Sequence, residues 1–308
     1  MIRGLLSAIV VLSALLSTVA LPTPADASAV RCRERISRES AKYAQSIMKA
    51  LNGCGEFVIK GKNPGPCPDA TALATIAKAE SRLHARIEKD CGGLDRTCGT
   101  PDDTPLSFYN WDLGNCPDLE NSGCTNVLND CADVSTCTQC VSDVAVDQLV
   151  GLYADEFIPS APSSNLNSCQ VRINKESLRL FRTRLTTLRK CWRGVSRERH
   201  PGPCPEPGDG KAAIKLAKAE SKLERNICKV CGGADRECGT ADDLLASTIG
   251  FAATCPDVAP IGQPSCGAPI TDLQGIVDCV RCVSAFKVDC VDGLAVPWGT
   301  TYPLGCNP

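Results

Sequence analysis

Residues 64–100 read PGPCPDATALATIAKAESRLHARIEKDCGGLDRTCGT, and residues 201–240 read PGPCPEPGDGKAAIKLAKAESKLERNICKVCGGADRECGT. Each stretch is a Pro-Gly-Pro-Cys-Pro turn, then an amphipathic run, then a double glycine that ends it, then an Asp- and Gly-rich loop. Leu73, Ile76, Ala77, Leu83 and Ile87 recur at helical spacing and predict the buried face of one helix. Leu216, Ala217, Leu223 and Ile227 predict the same face in the second stretch, closed by Gly232-Gly233 as the first is by Gly92-Gly93. Pro68 suits the opening turn, where its missing N–H would have no partner anyway.

The likeness extends in both directions. At an offset of 137 residues Cys32, Cys54 and Cys67 fall on Cys169, Cys191 and Cys204, and after a three-residue insertion near Pro207–Gly210 the offset becomes 140. Asp95, Cys98, Asp102 and Asp103 then fall on Asp235, Cys238, Asp242 and Asp243, and further on Cys137 and Cys140 meet Cys279 and Cys282. Upstream, Cys32, Ile36, Tyr43, Ile47, Leu51 and Cys54 form one helical stripe, matched by Cys169, Ile173, Leu180, Leu188 and Cys191. Downstream, a third helix is predicted from about Thr136 to Tyr153, with a twin around Cys279 to Leu294. The expected architecture is all-α: two tandem disulfide-rich three-helix domains with long irregular loops, residues 28–158 and 169–308, joined by a linker at 159–168.

Arg3 followed by the uncharged apolar run Leu5–Val19 and the small residues Ala25, Ala27 and Ala29 reads as a signal peptide, residues 1–27 with cleavage after Ala27. The expected location is therefore secreted or periplasmic. There, 22 cysteines can pair and stay paired. Aromatic residues are only 4% of the chain, so cross-links are expected to replace part of the missing ring packing. A hairpin would place the end of one helix near the start of the next, which predicts Cys54–Cys67 and Cys191–Cys204. Nine cysteines recur in both copies, an odd number, so at least one must find a partner particular to its copy or outside it. Cys228 and Cys290, both particular to the second copy, are expected to bond each other, leaving Cys306 for the odd one.

Catalytic signatures are absent. There is no G-x-S-x-G, P-loop, Rossmann fingerprint or H-E-x-x-H. The only histidines, His84 and His200, do not align with each other and read as solvated surface residues. No catalytic residue, metal ligand or cofactor is assigned. Cys137/Cys140 and Cys279/Cys282 have the Cys-x-x-Cys spacing of a redox dithiol, but without the βαβ context such centres occupy they read as structural staples to separate partners. Asp95, Asp102 and Asp103 with their twins could supply oxygen ligands for Ca²⁺ or a general acid or base, but Asp in a Gly-rich loop more often holds turns.

Charge is segregated: residues 31–89 carry twelve Lys/Arg against six Asp/Glu and residues 90–168 one against thirteen, and the second copy follows the same division. Arg172 to Arg199 holds ten basic and two acidic residues. These basic helices would suit an anionic polymer as partner.

The Gly-Pro-Cys-Pro turn, Ala-Lys-Ala-Glu-Ser at 77–81 and 217–221, Cys-Gly-Gly and Cys-x-x-Cys-Val together resemble uncharacterised cysteine-rich tandem-repeat proteins of bacterial secretomes. The resemblance implies export and helical repeats, and no activity. The expected function is a non-enzymatic secreted binding or structural protein. The alternatives are a secreted enzyme built on Asp102 or Asp103, or a thiol–disulfide oxidoreductase using the Cys-x-x-Cys pairs.

Overall fold

The computed structural model describes residues 24–154, 164–300, 302 and 306. It is all-α: α1 (Pro24–Ile59), α2 (Ala70–Cys91), α3 (Cys131–Ala154), α4 (Ser164–Val195), α5 (Ala212–Cys231), the single turn α6 (Ala246–Ile249) and α7 (Leu273–Ala295), with two short 3₁₀ turns before α3. No strand forms among the described residues, only the isolated bridges Asn115–Val127 and Thr254–Pro269. The expected signal peptide lies outside the described residues except for its last four, which open α1. The linker begins outside them too, but its residues from Ser164 onward already belong to α4.

The helix starts follow from local chemistry. Asp69 caps α2 by accepting the Ala72 N–H at 2.8 Å, so Pro68 stands just ahead of the helix rather than in it. Asp209 accepts from Lys211 and Ala212 at the head of α5, and Asp272 from Gly275 at the head of α7. The expected stripes of α1 and α4 are buried throughout. In α2, Leu83 and Ile87 are buried but Leu73 is 54% exposed and Ala77 is exposed, and in α5 Ala217 is exposed as well. Helical rotation explains the difference: taking Leu83 as the centre of the seam, Ala72 lies about 20° away, Leu73 about 80° and Ala77 about 120°. Small alanines, not Leu73, meet α1 at that end.

α1 and α2 pack as one hairpin, α4 and α5 as another. α1 and α4 run antiparallel to each other, with Glu34 of α1 beside Arg197, just past the end of α4, and Glu56 of α1 beside Lys175 of α4. α3 and α7 close the other side and touch each other. The sequence expects two separate domains; in the structure the buried residues of both halves form one connected hydrophobic cluster. Apolar faces of α1, α3, α4 and α7 are covered by the opposite half as well as by their own.

Eleven disulfides pair every cysteine. Cys54 bonds Cys67 and Cys191 bonds Cys204. Cys228 does not bond Cys290: it bonds Cys238, and Cys290 bonds Cys306. The reason is the turn after Gly232-Gly233, which folds the following loop back over the last turn of α5 and brings Cys238 to a Cα separation of 5.0 Å from Cys228. The odd recurring cysteine is thus Cys98 and its counterpart Cys238, each joined to a cysteine particular to its half: Cys131 on α3 in one, Cys228 on α5 in the other. Cys306 serves to tie the C-terminal tail to α7. A set of bridges this complete fits an oxidising, extracytoplasmic space. Among the described residues no helix is long and apolar enough to cross a membrane.

Candidate functional site

Near its middle α1 reads Arg35-Ile-Ser-Arg38-Glu39-Ser40-Ala-Lys42, and α4 repeats the pattern as Arg172-Ile-Asn-Lys175-Glu176-Ser177-Leu-Arg179. Ile36 and Ile173 point into the core, which forces Glu39 and Glu176, three residues on, to be buried with them. Each buried carboxylate is neutralised from its own helix. Arg35 and Lys42 reach Glu39 at 3.1 Å, and Arg172 and Arg179 reach Glu176 at 3.2 and 2.5 Å. The recurrence of this acid at the 137-residue offset is visible in the sequence, whereas its burial follows only from the packing of α1 and α4.

Where the N-terminal half of α1 meets the C-terminal half of α4, a pocket of about 420 Å³ opens. Arg31, Arg35, Arg38 and Lys42 line it from α1, Arg189 and Arg193 from α4, with Trp192 and Trp298 as apolar wall. Two carboxylates, Glu34 and Asp90, face these six cations. Both are engaged: Glu34 by Arg193 at 3.6 Å and by the Arg197 guanidinium at 2.7 Å, Asp90 by Arg35. Arg189 makes no hydrogen bond or ion pair among the described residues. Its burial, together with Arg38 and Arg193 beside it, pulls its pKa below the ordinary arginine value. The indole N–H of Trp298, which stands edge-on to Trp192 at 5.8 Å, is buried without an acceptor. Positive charge converges on one opening, an arrangement that complements an anion.

The opposite end of the α1/α4 seam has aligned positions but different chemistry. Asn52 and Glu56 stand where the second half has Arg189 and Arg193. Asn52 and Asn174 exchange side-chain to backbone hydrogen bonds of 3.1 and 2.9 Å, and Glu56 pairs with Lys175 at 3.1 Å. The polar groups of the seam at that end are paired with one another.

The acidic loops do other work. The Asp102 carboxylate accepts from the Leu94 and Asp95 N–H groups and from Thr100 Oγ1 at 2.6, 3.2 and 2.8 Å, and Asp103 accepts from Gly99 at 2.7 Å. Asp242 and Asp243 repeat these bonds with Ala234, Asp235, Thr240 and Gly239. The Thr100 and backbone donors hold Asp102 below the usual carboxylate range, and Thr240 does so for Asp242. The loop closes so tightly on Gly93, at φ 62°, that a Cβ there would lie 2.3 Å from the Asp102 carbonyl oxygen. Among the described residues no group of three or more His, Cys, Asp or Glu is placed to hold a metal ion.

In each Cys-x-x-Cys both sulfurs are bonded outside the motif: Cys137 to Cys116, Cys140 to Cys124, Cys279 to Cys255 and Cys282 to Cys266. Iodoacetamide is accordingly expected to label none of the 22 cysteines of the native chain before a reductant is added; prompt labelling of Cys137 and Cys140 on mild reduction, ahead of the rest, would restore a redox role. His84 is not simply solvated. It is half-buried in the α2/α3 seam, with Nδ1 2.6 Å from Ser135 Oγ and Nε2 2.8 Å from Gln139 Oε1.

No protein-family model, curated protein or solved structure matches the chain. The site must therefore be read from its own chemistry. Sequence reasoning missed a buried polar set on α4 and α7: Arg184 Nη2 bonds Asp289 at 3.0 Å, and Trp192 Nε1 donates to Asp292 at 2.7 Å. The available signal was divergence. Arg184, Trp192 and Asp292 stand where the first half has Ile47, Gly55 and Val150.

Proposed function

We propose that this chain is an exported, disulfide-locked binding protein without enzymatic activity, built from two copies of one ancestral unit, whose arginine pocket recognises an anionic polymer of the cell envelope or its surroundings. The observation that carries this reading is Arg189, a half-buried guanidinium beside Arg38 and Arg193, which is opposed only by the Glu39 carboxylate that Arg35 and Lys42 already engage. Withdrawing an unpaired cation from water is costly. The cost is recovered when a bound anion supplies the missing counter-charge through paired N–H donors. Export is supported by the charged and apolar N-terminal sequence with its small residues up to Ala27, and by a cysteine set that only an oxidising space keeps paired. The non-enzymatic part is supported by the acidic-loop aspartates, whose oxygens are spent on their own turns.

Fluorescence anisotropy with labelled polyphosphate, at low and at high salt, tests the reading. Binding is expected at low salt and is expected to weaken steeply as salt rises. The double substitution R38A/R189A is expected to weaken it by about tenfold or more, since each charged hydrogen bond lost is worth about 1.5–3 kcal/mol. An unaltered affinity in that variant, or no binding at low salt, removes the proposal.

A further inference from the structure

Aligning the two halves places Gly55 opposite Trp192 and Val150 opposite Asp292. In the second half the Trp192 indole fills the space beside α7, bonds Asp292, and is covered by Trp298 and Gly299 of the tail that the Cys290–Cys306 bridge holds down. The fit is close, for a Cβ on Gly299 would lie 2.7 Å from Trp192 Cζ3. In the first half the indole and its carboxylate partner are both replaced by residues too short to fill that space. A Cβ on Gly55 would meet nothing nearer than Asn174 Nδ2 at 3.8 Å.

What remains is a large cleft, about 1140 Å³, bounded by both halves. Gly55 and Val150 line it, as do Leu51, Val58, Val283 and the prolines of the Gly65-Pro66-Cys67-Pro68 turn. Glu120, Asp147, Gln148, Thr254 and Lys287 supply the polar side chains of the wall, and Lys287 is the only cation among its described residues. Lys287, 3% exposed on α7, reaches into the cleft and bonds Glu120 and Gln148 of the other half. An ammonium has three donors, so one remains after these two. The first half has Ala145 at the position aligned with Lys287, so the lysine belongs to this cleft alone.

We propose that the cleft binds a small aromatic molecule carrying an anionic oxygen group, its ring taking the place that Trp192 takes in the other half and its oxygen meeting the Lys287 ammonium. The shape argument comes from the molecule itself, which fills the aligned space with an indole. The volume leaves ample room for a ligand of this size. The proposal does not depend on the arginine pocket and lies at the other end of the α1/α4 seam.

The test uses the full oxidised chain and two dyes, the anionic 1-anilinonaphthalene-8-sulfonate and the uncharged N-phenyl-1-naphthylamine, followed by fluorescence. Saturable binding of both is expected. G55W, which restores the ring of the other half, is expected to weaken both by at least about tenfold, the equivalent of 1.4 kcal/mol. A252W places a ring on the exposed outer wall of the cleft, where folding is not at stake, and is expected to act in the same direction. K287Q is expected to weaken the anionic dye and spare the uncharged one, while R38A/R189A leaves both unchanged. Wild-type-like binding in both tryptophan variants overturns the site, as does an absence of saturable binding. Loss of the anionic dye in the arginine variant instead would place it in the other pocket and overturn the site equally, and an inert K287Q overturns the part assigned to the oxygen group.

Discussion

Replacing Cys32 and Cys91 together by alanine is expected to lower the stability of the chain by about 4 kcal/mol. This bridge joins the start of α1 to the end of α2 across a separation of 59 residues, with neither sulfur exposed. The loop that it closes in the unfolded chain is long, though the Cys54–Cys67 bridge trims it somewhat. The entropy lost by closing such a loop sets the figure. The Cys228–Cys238 bridge spans only 10 residues, and its removal is expected to cost about 2.5 kcal/mol. Urea unfolding of the two double variants, with the remaining bridges verified by peptide mapping, gives the comparison. Equal losses would mean that the bridges stabilise through local packing and not through the unfolded chain.

The second large effect concerns Asp292. Burial pushes its carboxyl up to about 7, against the pull of the Trp192 N–H, with Asp289 adding to the rise and Arg184 opposing it. A carboxyl raised in the folded state is the reverse of the ordinary surface case. Its contribution is fully present below the unfolded value, about pH 4, and is lost as pH climbs towards 7, because the unfolded chain ionises it freely and the folded chain does not. Asp143, raised to about 6 chiefly by burial while accepting the Tyr43 hydroxyl at 2.8 Å, acts in the same window. Stability is therefore expected to fall between about pH 4 and pH 7. D292N keeps an oxygen acceptor for Trp192 and removes the charge. It is expected to flatten much of that fall and to be more stable than the native chain at pH 8 by on the order of 2–4 kcal/mol. Guanidinium titrations across the pH range read this directly, and a native-like slope in D292N would show that Asp292 is ionised at little cost where it lies.

Several features were legible in the sequence because they depend on neighbours along the chain. Apolar spacing in α1 and α4 marks the stripe that is buried, since a helix turns by a fixed angle per residue. The double glycines end α2 and α5, because capping is settled within a few residues. The Cys54–Cys67 pair is a product of the same hairpin turn. Leu73 shows the limit of such reasoning: it is apolar and near the right spacing, yet a rotation of about 80° from the seam leaves it in solvent.

By itself the sequence determined an all-α, cysteine-stapled chain with basic hairpins and acidic loops, all of it readable from periodicity, composition and recurrence. Tertiary structure alone decided that the two halves share one core, and that Arg189 is left without a partner among the described residues while Lys287 finds one in the other half. The physical reason is the same for each: these outcomes depend on which helix faces come together across more than a hundred residues, and nothing in local spacing encodes that meeting.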